Sequence, residues 1–421
     1  MKVGIIGSGG REHAICLSIK KSAQVKEIYC FPGNAGTAEI AINIDVDINN
    51  FEEIKNYVLA KKIDLLIIGP EKPLVNGIVD FFKDNDVKVF GPNKAASQLE
   101  GSKIFTKKLC QKFNIPTANF GIFENIDSSK KFLEKSKYPI VIKADGLASG
   151  KGVYICEKKD TALEAINEIF GGKFGEAKKL LIEEFLDGEE MSYFIITDGI
   201  SIKNFNTAQD HKRVLEGDKG KNTGGMGAYS PSRLMSNDLE KKIINKIIKP
   251  TVDGLKKLDI TYKGFLYAGL MIKDNEPFLI EYNVRMGDPE CQTILPKLDT
   301  DLTEIFNACC DNELNEIDIK WNNLKSMCIV LCSKGYPEKY NNNIEIKNLK
   351  NISLNKDEFI FHAGTQEKNS KIYSNGGRVL NFVIKSNEFI KSRDRALQLI
   401  NEVNWENGFF RKDIGYKVID K

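Results

Sequence analysis

Apolar and polar positions follow two different patterns along the first hundred residues. Short apolar runs predict strands, and the amphipathic stretches at 11–21, 51–61 and 73–84 predict helices. Repeated strand–helix units with short links indicate a parallel sheet that is covered on both faces. The predicted strands are KVGIIG (2–7), EIYCF (27–31), DLLIIG (64–69) and KVFG (88–91).

The pattern changes after Ser102. A predicted helix runs to Phe113, and the strands that follow are joined mainly by hairpin turns. A third block of short strands follows Trp321. We therefore predict an α/β and α+β multidomain protein of three units: an N-terminal α/β unit at 1–102, a middle unit at 103–325 with a lid at about 118–188, and a C-terminal unit at 326–421.

Composition narrows the classes of function. The chain has 421 residues, 42% hydrophobic and 28% charged, and a formal net charge of +3, so we expect neither nucleic acid nor a membrane as a partner. No apolar run approaches the roughly 20 residues that span a bilayer, and the N-terminus enters a strand without room for a signal peptide. The nine cysteines include no C-x-x-C pair, which is typical of free thiols. These features predict a cytoplasmic protein without a zinc site.

Glycine-rich turns follow the first three predicted strands: GSGGREH (7–13), PGNAG (32–36) and GPE (69–71). Since parallel strands end at one sheet edge, the turns should meet there and, with Arg11, bind a small phosphorylated ligand. The alternative is that they are tight turns only. NAD is not expected, because Glu12 stands where the dinucleotide motif needs glycine.

The segment KADGLASGKG (143–152) resembles a phosphate-binding loop but is not the nucleotide loop GxxxxGK[ST]. Three residues, not four, separate Gly146 from Gly150, and Gly152 stands where Ser or Thr should hold magnesium. Both flanks predict strands, so the glycines join a hairpin. Its backbone N–H groups could fold over a phosphate chain, and a plain flexible turn is the alternative.

Two lysines and an acidic turn are candidates for nucleotide binding. Lys103 and Lys143 could each approach a phosphate, and Lys143 ends an apolar strand directly before the glycine loop. In IEEFLDGEE (182–190), apolar residues could hold a flat base while a carboxylate accepts the ribose hydroxyls. An acidic surface turn is the alternative for this segment.

LIEYNVRMGDPE (279–290) is the most informative segment. Strand alternation places Glu281 and Asn283 on one face, where two oxygen ligands beside a triphosphate suit Mg²⁺. Arg285 offers a planar cation to a carboxylate or to a phosphoryl group in transfer, and Asp288 lies just beyond. The alternative is a hydrophobic strand that ends in a polar loop.

AQDHKR (208–213) and NTGGMGAYSP (222–231) combine charge with glycine, which favours a close approach of backbone to a ligand. His211 could act as a base. An isolated histidine between charged residues is more often a surface or hydrogen-bonding residue.

Together these segments resemble one family, the phosphoribosylamine–glycine ligases (glycinamide ribonucleotide synthetases) of the ATP-grasp superfamily. The similarity covers nearly the whole chain at similar spacing, and no single motif carries it. The matching segments, in order, are GGREHA, PGNAGT, GPEKPLV, QLEGSK, IPTA, VIKADGLASGKGV, IEEFLDGEE, QDHKR, NTGGMGAYSP, GFLYAGLMI, GDPE, FHAGT, NGGRVL and FRKDIGY.

The resemblance implies an N-terminal parallel α/β pre-ATP-grasp domain, an ATP-grasp core with a mobile lid subdomain, and a small C-terminal mixed β domain. It implies the ATP-dependent ligation of glycine to 5-phosphoribosylamine through a glycyl phosphate intermediate, in de novo purine biosynthesis. The implied cofactor is Mg²⁺ or Mn²⁺. The expected partners are these small molecules, and we expect a monomer, with a dimer as the alternative.

The resemblance also implies roles for individual positions. Lys143 and Arg285 are the implied catalytic residues, and Glu281 and Asn283 are the implied metal ligands. The implied ATP contacts are Lys103, Lys143, the lid residues Ser149, Gly150, Lys151 and Gly152, the adenine-pocket residues Glu183, Glu184 and Leu186, and the ribose ligand Glu190. The implied substrate contacts are Gly10, Arg11, Asn34, Glu71, Asp210, Asn222, Thr223, Gly224, Gly225, Arg285 and Asp288.

One feature departs from the wider superfamily. Many members place another acidic metal ligand on the preceding strand, but FLYAGLMI (265–272) has none, which leaves the number of metal ions open. Competing interpretations are another ATP-grasp carboxylate–amine ligase, a carboxylase acting on a purine precursor, an inactive nucleotide-binding protein and an oxidoreductase. Intact Lys143, Glu281, Asn283 and Arg285 disfavour the inactive protein.

Overall fold

The computed structural model, which describes residues 1–147, 152–175 and 179–419, begins with a five-stranded parallel sheet. Its strands are β1 (Lys2–Gly7), β2 (Glu27–Pro32), β3 (Ile42–Asn43), β4 (Leu65–Ile68) and β5 (Lys88–Phe90). Their spatial order is β3-β2-β1-β4-β5. The helices of this part are α1 (Gly10–Ile19), α2 (Phe51–Lys61), α3 (Glu71–Asn76), α4 (Ile78–Phe81), α5 (Gln98–Gly101) and α6 (Lys103–Phe113).

Both faces of this sheet are buried, as its continuous apolar runs predict. Leu65 and Ile67 of β4 pack into one hydrophobic core, whereas Leu66 and Ile68 pack into another. Successive side chains of a strand point to opposite faces, so four apolar residues in a row serve two cores. The predicted parallel sheet with two covered faces is confirmed.

Two elements differ from the sequence prediction. The helix predicted over 73–84 is divided into α3 and α4 at Gly77, whose φ of +96° is left-handed and interrupts the helical ladder. The short strand β3 was not predicted, because its two residues give no period that could be recognised.

A second sheet has four antiparallel strands and a hydrophobic core of its own. It contains β6 (Phe120–Phe123), β7 (Ile140–Ala144), β8 (Val153–Cys156) and β9 (Leu180–Glu184), with the helices α7 (Ile126–Leu133) and α8 (Lys159–Phe170). The strand order is β6-β9-β7-β8, so the glycine-rich segment connects the adjacent strands β7 and β8.

The third sheet has nine strands, and each adjacent pair is antiparallel. They are β10 (Glu189–Thr197), β11 (Ile202–Asp210), β14 (Gly227–Ser230), β15 (Gly264–Lys273), β16 (Glu276–Asn283), β17 (Lys325–Ser333), β18 (Glu358–His362), β21 (Arg378–Ser386) and β22 (Gly408–Phe409). The order is β16-β15-β10-β11-β14-β17-β21-β18, with β22 beside β17. Because β14 pairs with β17, the sheet continues from the middle part of the chain into the C-terminal part.

Two hairpins and the remaining helices complete the described structure. The hairpins are β12 (Arg213–Leu215) with β13 (Lys219–Asn222), and β19 (Thr365–Lys368) with β20 (Lys371–Ser374). The helices are α9 (Asn237–Ile243), α10 (Lys249–Lys256), α11 (Glu290–Ile294), α12 (Leu302–Asp311), α13 (Phe389–Glu402) and α14 (Tyr416–Ile419). A π-helical segment, Ile244–Ile248, links α9 to α10. No helix among the described residues combines the length and apolarity that crossing a membrane requires.

Two buried histidines join the N-terminal part to the C-terminal part. The His362 backbone N–H donates to His13 Nδ1 at 2.9 Å, and the two rings lie edge to face with centroids 5.7 Å apart. Burial lowers the pKa of His13 to about 3 and that of His362 to about 4. Both imidazoles are therefore neutral in the folded protein at neutral pH.

We predict that the His13→Asn variant loses stability less steeply in acid than the parent. Below the ordinary histidine pKa of 6.5, the unfolded chain binds a proton at His13 that the folded chain excludes. This difference costs about 1.4 kcal/mol per pH unit. Asparagine keeps an acceptor oxygen but does not titrate. Urea unfolding between about pH 6 and 4.5 measures the slopes, and equal slopes would contradict the prediction.

Candidate active site

The glycine-rich turns meet at the carboxyl edge of the N-terminal sheet, and the Glu12 side chain lies between them. A Cβ atom on Gly7, Gly9 or Gly69 would lie 2.1–2.8 Å from a Glu12 atom. Glu12 Oε2 accepts the Gly9 N–H at 2.6 Å, and Oε1 accepts from Arg11 Nε at 2.7 Å. In the sequence analysis Glu12 served only as evidence against a dinucleotide site. In the structure its carboxylate contacts the turns after β1 and β4.

Asn34 connects two of these turns to the C-terminal part of the chain. Its side-chain nitrogen donates to the carbonyls of Ser8 at 2.8 Å and His362 at 2.9 Å. Its Oδ1 accepts the backbone N–H groups of Gly36 and Thr37. Beside it, a Cβ on Gly10 would lie 2.4 Å from Asn381 Nδ2. The structure thus brings Gly10, Arg11 and Asn34 together beneath the C-terminal strands.

The Arg285 guanidinium lies between two carboxylates. Its Nε donates to Glu71 Oε2 at 3.2 Å, its Nη2 to Glu100 Oε1 at 2.8 Å, and its Nη1 to the Met286 carbonyl at 3.3 Å. Arg11 Nη1 donates to the same carbonyl at 3.0 Å. Arg285, and then Arg11, hold the pKa of Glu71 at about 2 against the effect of burial. Three predicted substrate residues, Arg11, Glu71 and Arg285, therefore form one charged cluster.

Asp288 faces both the N-terminal turn and the C-terminal part. Its Oδ2 accepts the Arg11 N–H at 3.4 Å, and its Oδ1 accepts from Gln292 Nε2 at 2.9 Å and lies 3.3 Å from Arg378 Nη1. Burial raises the pKa of Asp288, but Arg378 and Arg11 outweigh it and hold the pKa below its ordinary value. Arg378, in the segment NGGRVL, had no individual role in the sequence prediction.

The loop 222–225 is fixed through its backbone. The Thr223 N–H and hydroxyl each donate to the Lys212 carbonyl at 2.8 Å, and the Gly224 N–H donates to the Tyr336 hydroxyl at 2.9 Å. The Gly224 carbonyl accepts from Arg378 at 2.6 Å. Gly225 has a φ of +114°, a conformation that favours glycine.

Lys212 connects this loop to the predicted ribose ligand. Its Nζ lies 2.5 Å from Glu190 Oε2, and its charge lowers the pKa of Glu190. Burial raises the pKa of Asp210 to about 7, with Lys212 acting in the opposite direction. Asn222 lies at the end of β13, opposite Arg213.

Glu183 holds two lysines in a buried cluster. Its Oε2 lies 2.9 Å from Lys143 Nζ and 3.3 Å from Lys107 Nζ, and Lys143 also donates to the Ile280 carbonyl at 3.5 Å. The other oxygen, Oε1, is buried without a hydrogen-bond partner among the described residues. Lys107 had no role in the sequence prediction. Its spacing of four from Lys103 was the available signal, since residues i and i+4 share a helix face.

Lys103 contacts the start of the glycine-rich segment. Its Nζ donates to the Gly146 carbonyl at 2.9 Å, while the preceding Ser102 hydroxyl donates to Asp145 at 3.1 Å. Burial lowers the pKa of Lys103, and the nearby Glu281 carboxylate opposes this shift. The start of α6 is therefore attached to the loop that leaves β7.

The remaining predicted nucleotide contacts lie in the glycine-rich segment and in the turn after β9. Of these, Ser149, Gly150 and Lys151 lie outside the described residues. Gly152 is buried, and its carbonyl accepts the Ala144 N–H at 2.9 Å. The exposed Glu184 accepts the Asn119 N–H at 2.9 Å, and Leu186 lies half-buried between β9 and β10.

Glu281 and Asn283 lie half-buried near the end of β16, opposite Gly269 and Tyr267 of β15. A β-bulge leaves Ile280 without a cross-strand partner, and alternation resumes beyond it. One carboxylate and one amide oxygen suit Mg²⁺ when phosphates and water complete its shell. Within the described ranges no group of three His, Cys, Asp or Glu residues could hold a metal by itself. The donor set therefore fits a cation that arrives with phosphates.

Comparison with known proteins places this geometry in a family. Models of phosphoribosylglycinamide synthetase match in three consecutive parts: the N domain at residues 1–100, the ATP-grasp (A) domain at 101–291 and the C domain at 326–417. The chain belongs to the phosphoribosylglycinamide synthetase family. The sequence-based assignment to this family, and the fold class that it implied, are confirmed.

Relatives within the family are similar over their full length. The chain is 41% identical to a phosphoribosylamine–glycine ligase of Brucella melitensis biotype 1 and 44% identical to one of Agrobacterium fabrum. Each match covers 100% of this chain and 99% of the relative. A crystal structure of phosphoribosylamine–glycine ligase from Thermotoga maritima aligns with a TM-score of 0.84 at 34% identity, covering 99% of this chain and 100% of that one.

Residues 411–417, at the end of the part that matches the C domain, contact residues 211–218, which include the start of the β12–β13 hairpin. Arg411, 1% exposed, donates to Asp413 at 2.8 and 2.7 Å and to Asp218 at 2.9 Å. The Gly415 N–H donates to His211 Nε2 at 3.0 Å. Burial lowers the pKa of His211, so this neutral ring is a hydrogen-bonding residue of the clamp between residues 211–218 and 411–417.

We predict that Arg411→Ala destabilises the protein by about 3 kcal/mol, because removing one partner of a buried ion pair leaves carboxylates uncompensated. Lys391→Ala is the control, because Lys391 and its partner Glu388 are 66% and 52% exposed. Loss of this surface ion pair should cost less than about 1 kcal/mol. Urea unfolding of the two variants measures both changes in the free energy of unfolding. Equal losses would show that the buried ion pairs of Arg411 contribute no more to stability than a surface pair.

Proposed function

We propose that the protein ligates glycine to 5-phosphoribosylamine with ATP, giving glycinamide ribonucleotide, ADP and phosphate. Membership of the phosphoribosylglycinamide synthetase family supports this assignment. The observation that carries it is the position of Arg285, between Glu71 beside the N-terminal turns and the strand that bears Glu281 and Asn283. A cation at this point can contact the carboxylate of glycine during its phosphorylation and lies near the site of the amine that then attacks it.

The reaction has two steps. A carboxylate oxygen of glycine attacks the γ-phosphorus of ATP, and the bond from that phosphorus to the β-phosphate oxygen breaks. The products of this step are glycyl phosphate and ADP. The amine of phosphoribosylamine then attacks the carbonyl carbon, the bond from that carbon to the phosphate oxygen breaks, and the nitrogen loses a proton. Catalysis of this kind consists mainly of positioning and charge stabilisation.

On the ATP side, Lys103 and Lys143 bind the phosphates, and the lid residues Ser149, Gly150, Lys151 and Gly152 contact ATP as well. Glu183 orients Lys143 through its 2.9 Å contact. Glu183, Glu184 and Leu186 line the adenine pocket beside Glu190, which binds the ribose. Glu281 and Asn283 would hold Mg²⁺ or Mn²⁺. When bound, this cation neutralises phosphate charge and polarises the γ-phosphoryl group.

On the substrate side, Arg285 stabilises the charge that develops on the carboxylate and the phosphoryl group, and Asp288 holds an amino group. Phosphoribosylamine lies among the N-terminal turns and the loop that closes over them. The residues that frame it are Gly10, Arg11, Asn34, Glu71, Asp210, Asn222, Thr223, Gly224 and Gly225.

We place the reaction in the cytoplasm and the enzyme in solution as a monomer, with a dimer as the alternative. Nine free cysteines fit a reducing compartment. Light scattering of the purified protein measures its mass directly.

The deciding experiment measures ADP release with Mg²⁺ and ATP while glycine and freshly generated phosphoribosylamine are added separately and together. We expect release that requires both, with one glycinamide ribonucleotide per ADP by mass spectrometry. Release with a different acid, or with bicarbonate, would move the assignment to another carboxylate–amine ligase or a carboxylase.

We predict that Glu281→Gln lowers turnover about 100-fold and raises the Mg²⁺ concentration for half-maximal rate, because the loss of a charged ligand removes several kcal/mol of charge stabilisation. Glu276→Gln, on the same strand but paired with Lys242 and Lys246 at the surface, is the matched control. An unchanged Mg²⁺ requirement in Glu281→Gln would refute the metal role of this residue.

A further inference from the structure

Glu100 makes two contacts with consecutive residues of the active site. It lies on α5, and its side chain is 9% exposed. Its Oε1 accepts from Arg285 Nη2 at 2.8 Å, and its Oε2 accepts the backbone N–H of Val284 at 2.8 Å. One carboxylate thus fixes both the guanidinium and the main chain from which Arg285 extends.

These contacts determine which donors of Arg285 remain for a ligand. A guanidinium has five N–H groups. Within the described structure, one is donated to Glu71, one to Glu100 and one to the Met286 carbonyl. Two N–H groups remain, one each on Nη1 and Nη2, and Glu100 fixes the direction of the Nη2 group. Each of these donors can bind a carboxylate oxygen, the acceptor that guanidinium groups favour.

The electrostatic environment does not favour a carboxylate at this position. Burial raises the pKa of Glu100 to about 7, against the effect of Arg285. A neutral side chain would avoid the cost of burying the charge. A buried acid in such surroundings indicates a role in the site rather than in stability alone. The titratable groups that face Glu100 from other elements are Arg285, Glu71, Arg11, Lys103 and Tyr262.

The segment that carries Glu100 also carries the predicted phosphate ligand. Ser102 contacts Asp145, and Lys103 contacts the carbonyl of Gly146, both in the loop that follows β7. Residues 100–103 therefore connect Arg285 to Lys103, the proposed phosphate ligand. Their geometry sets the distance between the acid-binding cation and the phosphate-binding cation.

We propose that Glu100 is a positioning residue for glycine. It holds Arg285 so that the two remaining N–H groups meet the carboxylate of glycine and then the glycyl phosphate. Glu100 itself does not contact the substrate. This inference rests on the proposed ligase function and adds the residue that determines how the acid is oriented.

The test compares Glu100→Gln, Glu100→Asp and Glu100→Ala with the parent enzyme in steady-state ligation. We expect kcat/KM for glycine to fall about 10- to 100-fold in Glu100→Ala, the usual range for a misplaced catalytic group. The KM for ATP should stay within about twofold, since the ATP ligands keep their own contacts. Glu100→Gln and Glu100→Asp should recover part of the loss, because each retains an oxygen that accepts from one of the two donors.

Glu358→Gln is the matched control for loss of a buried carboxylate. Glu358 is 7% exposed on its side chain and pairs with Arg395, and it belongs to β18 in the C-terminal part. Its replacement should lower the Tm without changing the glycine parameters. The Tm of each Glu100 variant is measured alongside.

An unchanged kcat/KM for glycine in Glu100→Ala would overturn the proposal. Equal losses for glycine and ATP that follow the fall in Tm, as in Glu358→Gln, would also overturn it, because they indicate a structural role. If the parent enzyme forms no product from glycine, the proposed ligase function is wrong. The reaction of the parent enzyme therefore distinguishes failure of that function from failure of the role proposed for Glu100.

Discussion

The ion pairs of Arg285 are the interaction on which the geometry of the site depends. Glu71 follows β4 at the edge of the N-terminal sheet, Glu100 lies at the end of the same part of the chain, and Arg285 follows β16 of the nine-stranded sheet. The carboxylates of Glu71 and Glu100 both contact Arg285 and would repel one another without that cation. Arg285 therefore fixes the N-terminal turns relative to the strand that carries the proposed metal ligands.

The same principle extends around the pocket, where other charged and polar side chains are also held by residues from another part of the chain. Asp288 is held by Arg378, Glu190 by Lys212, and Asn34 contacts the carbonyl of His362. Contacts of this kind fix side chains before a ligand arrives, so less order has to be imposed during the reaction. The C-terminal part thus shapes the pocket although it bears none of the proposed ATP or metal ligands.

The sequence was sufficient wherever a local pattern carried the information. Apolar runs predicted four of the five strands of the parallel sheet, and LIEYN predicted the strand with Glu281 and Asn283. The partners of single side chains could not be predicted, because Glu12, Glu100 and Lys107 acquire their roles beside Gly69, Arg285 and Glu183, which only the fold brings near. The bulge at Ile280 was also missed, because an extra residue in one strand is defined by its neighbour. The unit boundaries near 102 and 325, and the roles of individual site residues, stay predictions.

The pairing of β14 with β17 has a consequence for how the chain can be divided. Gly227 to Ser230 align with Ile329 to Ser326, so the backbone hydrogen bonds of one ladder join segments on both sides of residue 325. Separating the chain there would give each fragment an open strand edge, and such edges pair readily with other copies. The C-terminal part thus matches a domain model of its own but completes a sheet that the middle part begins.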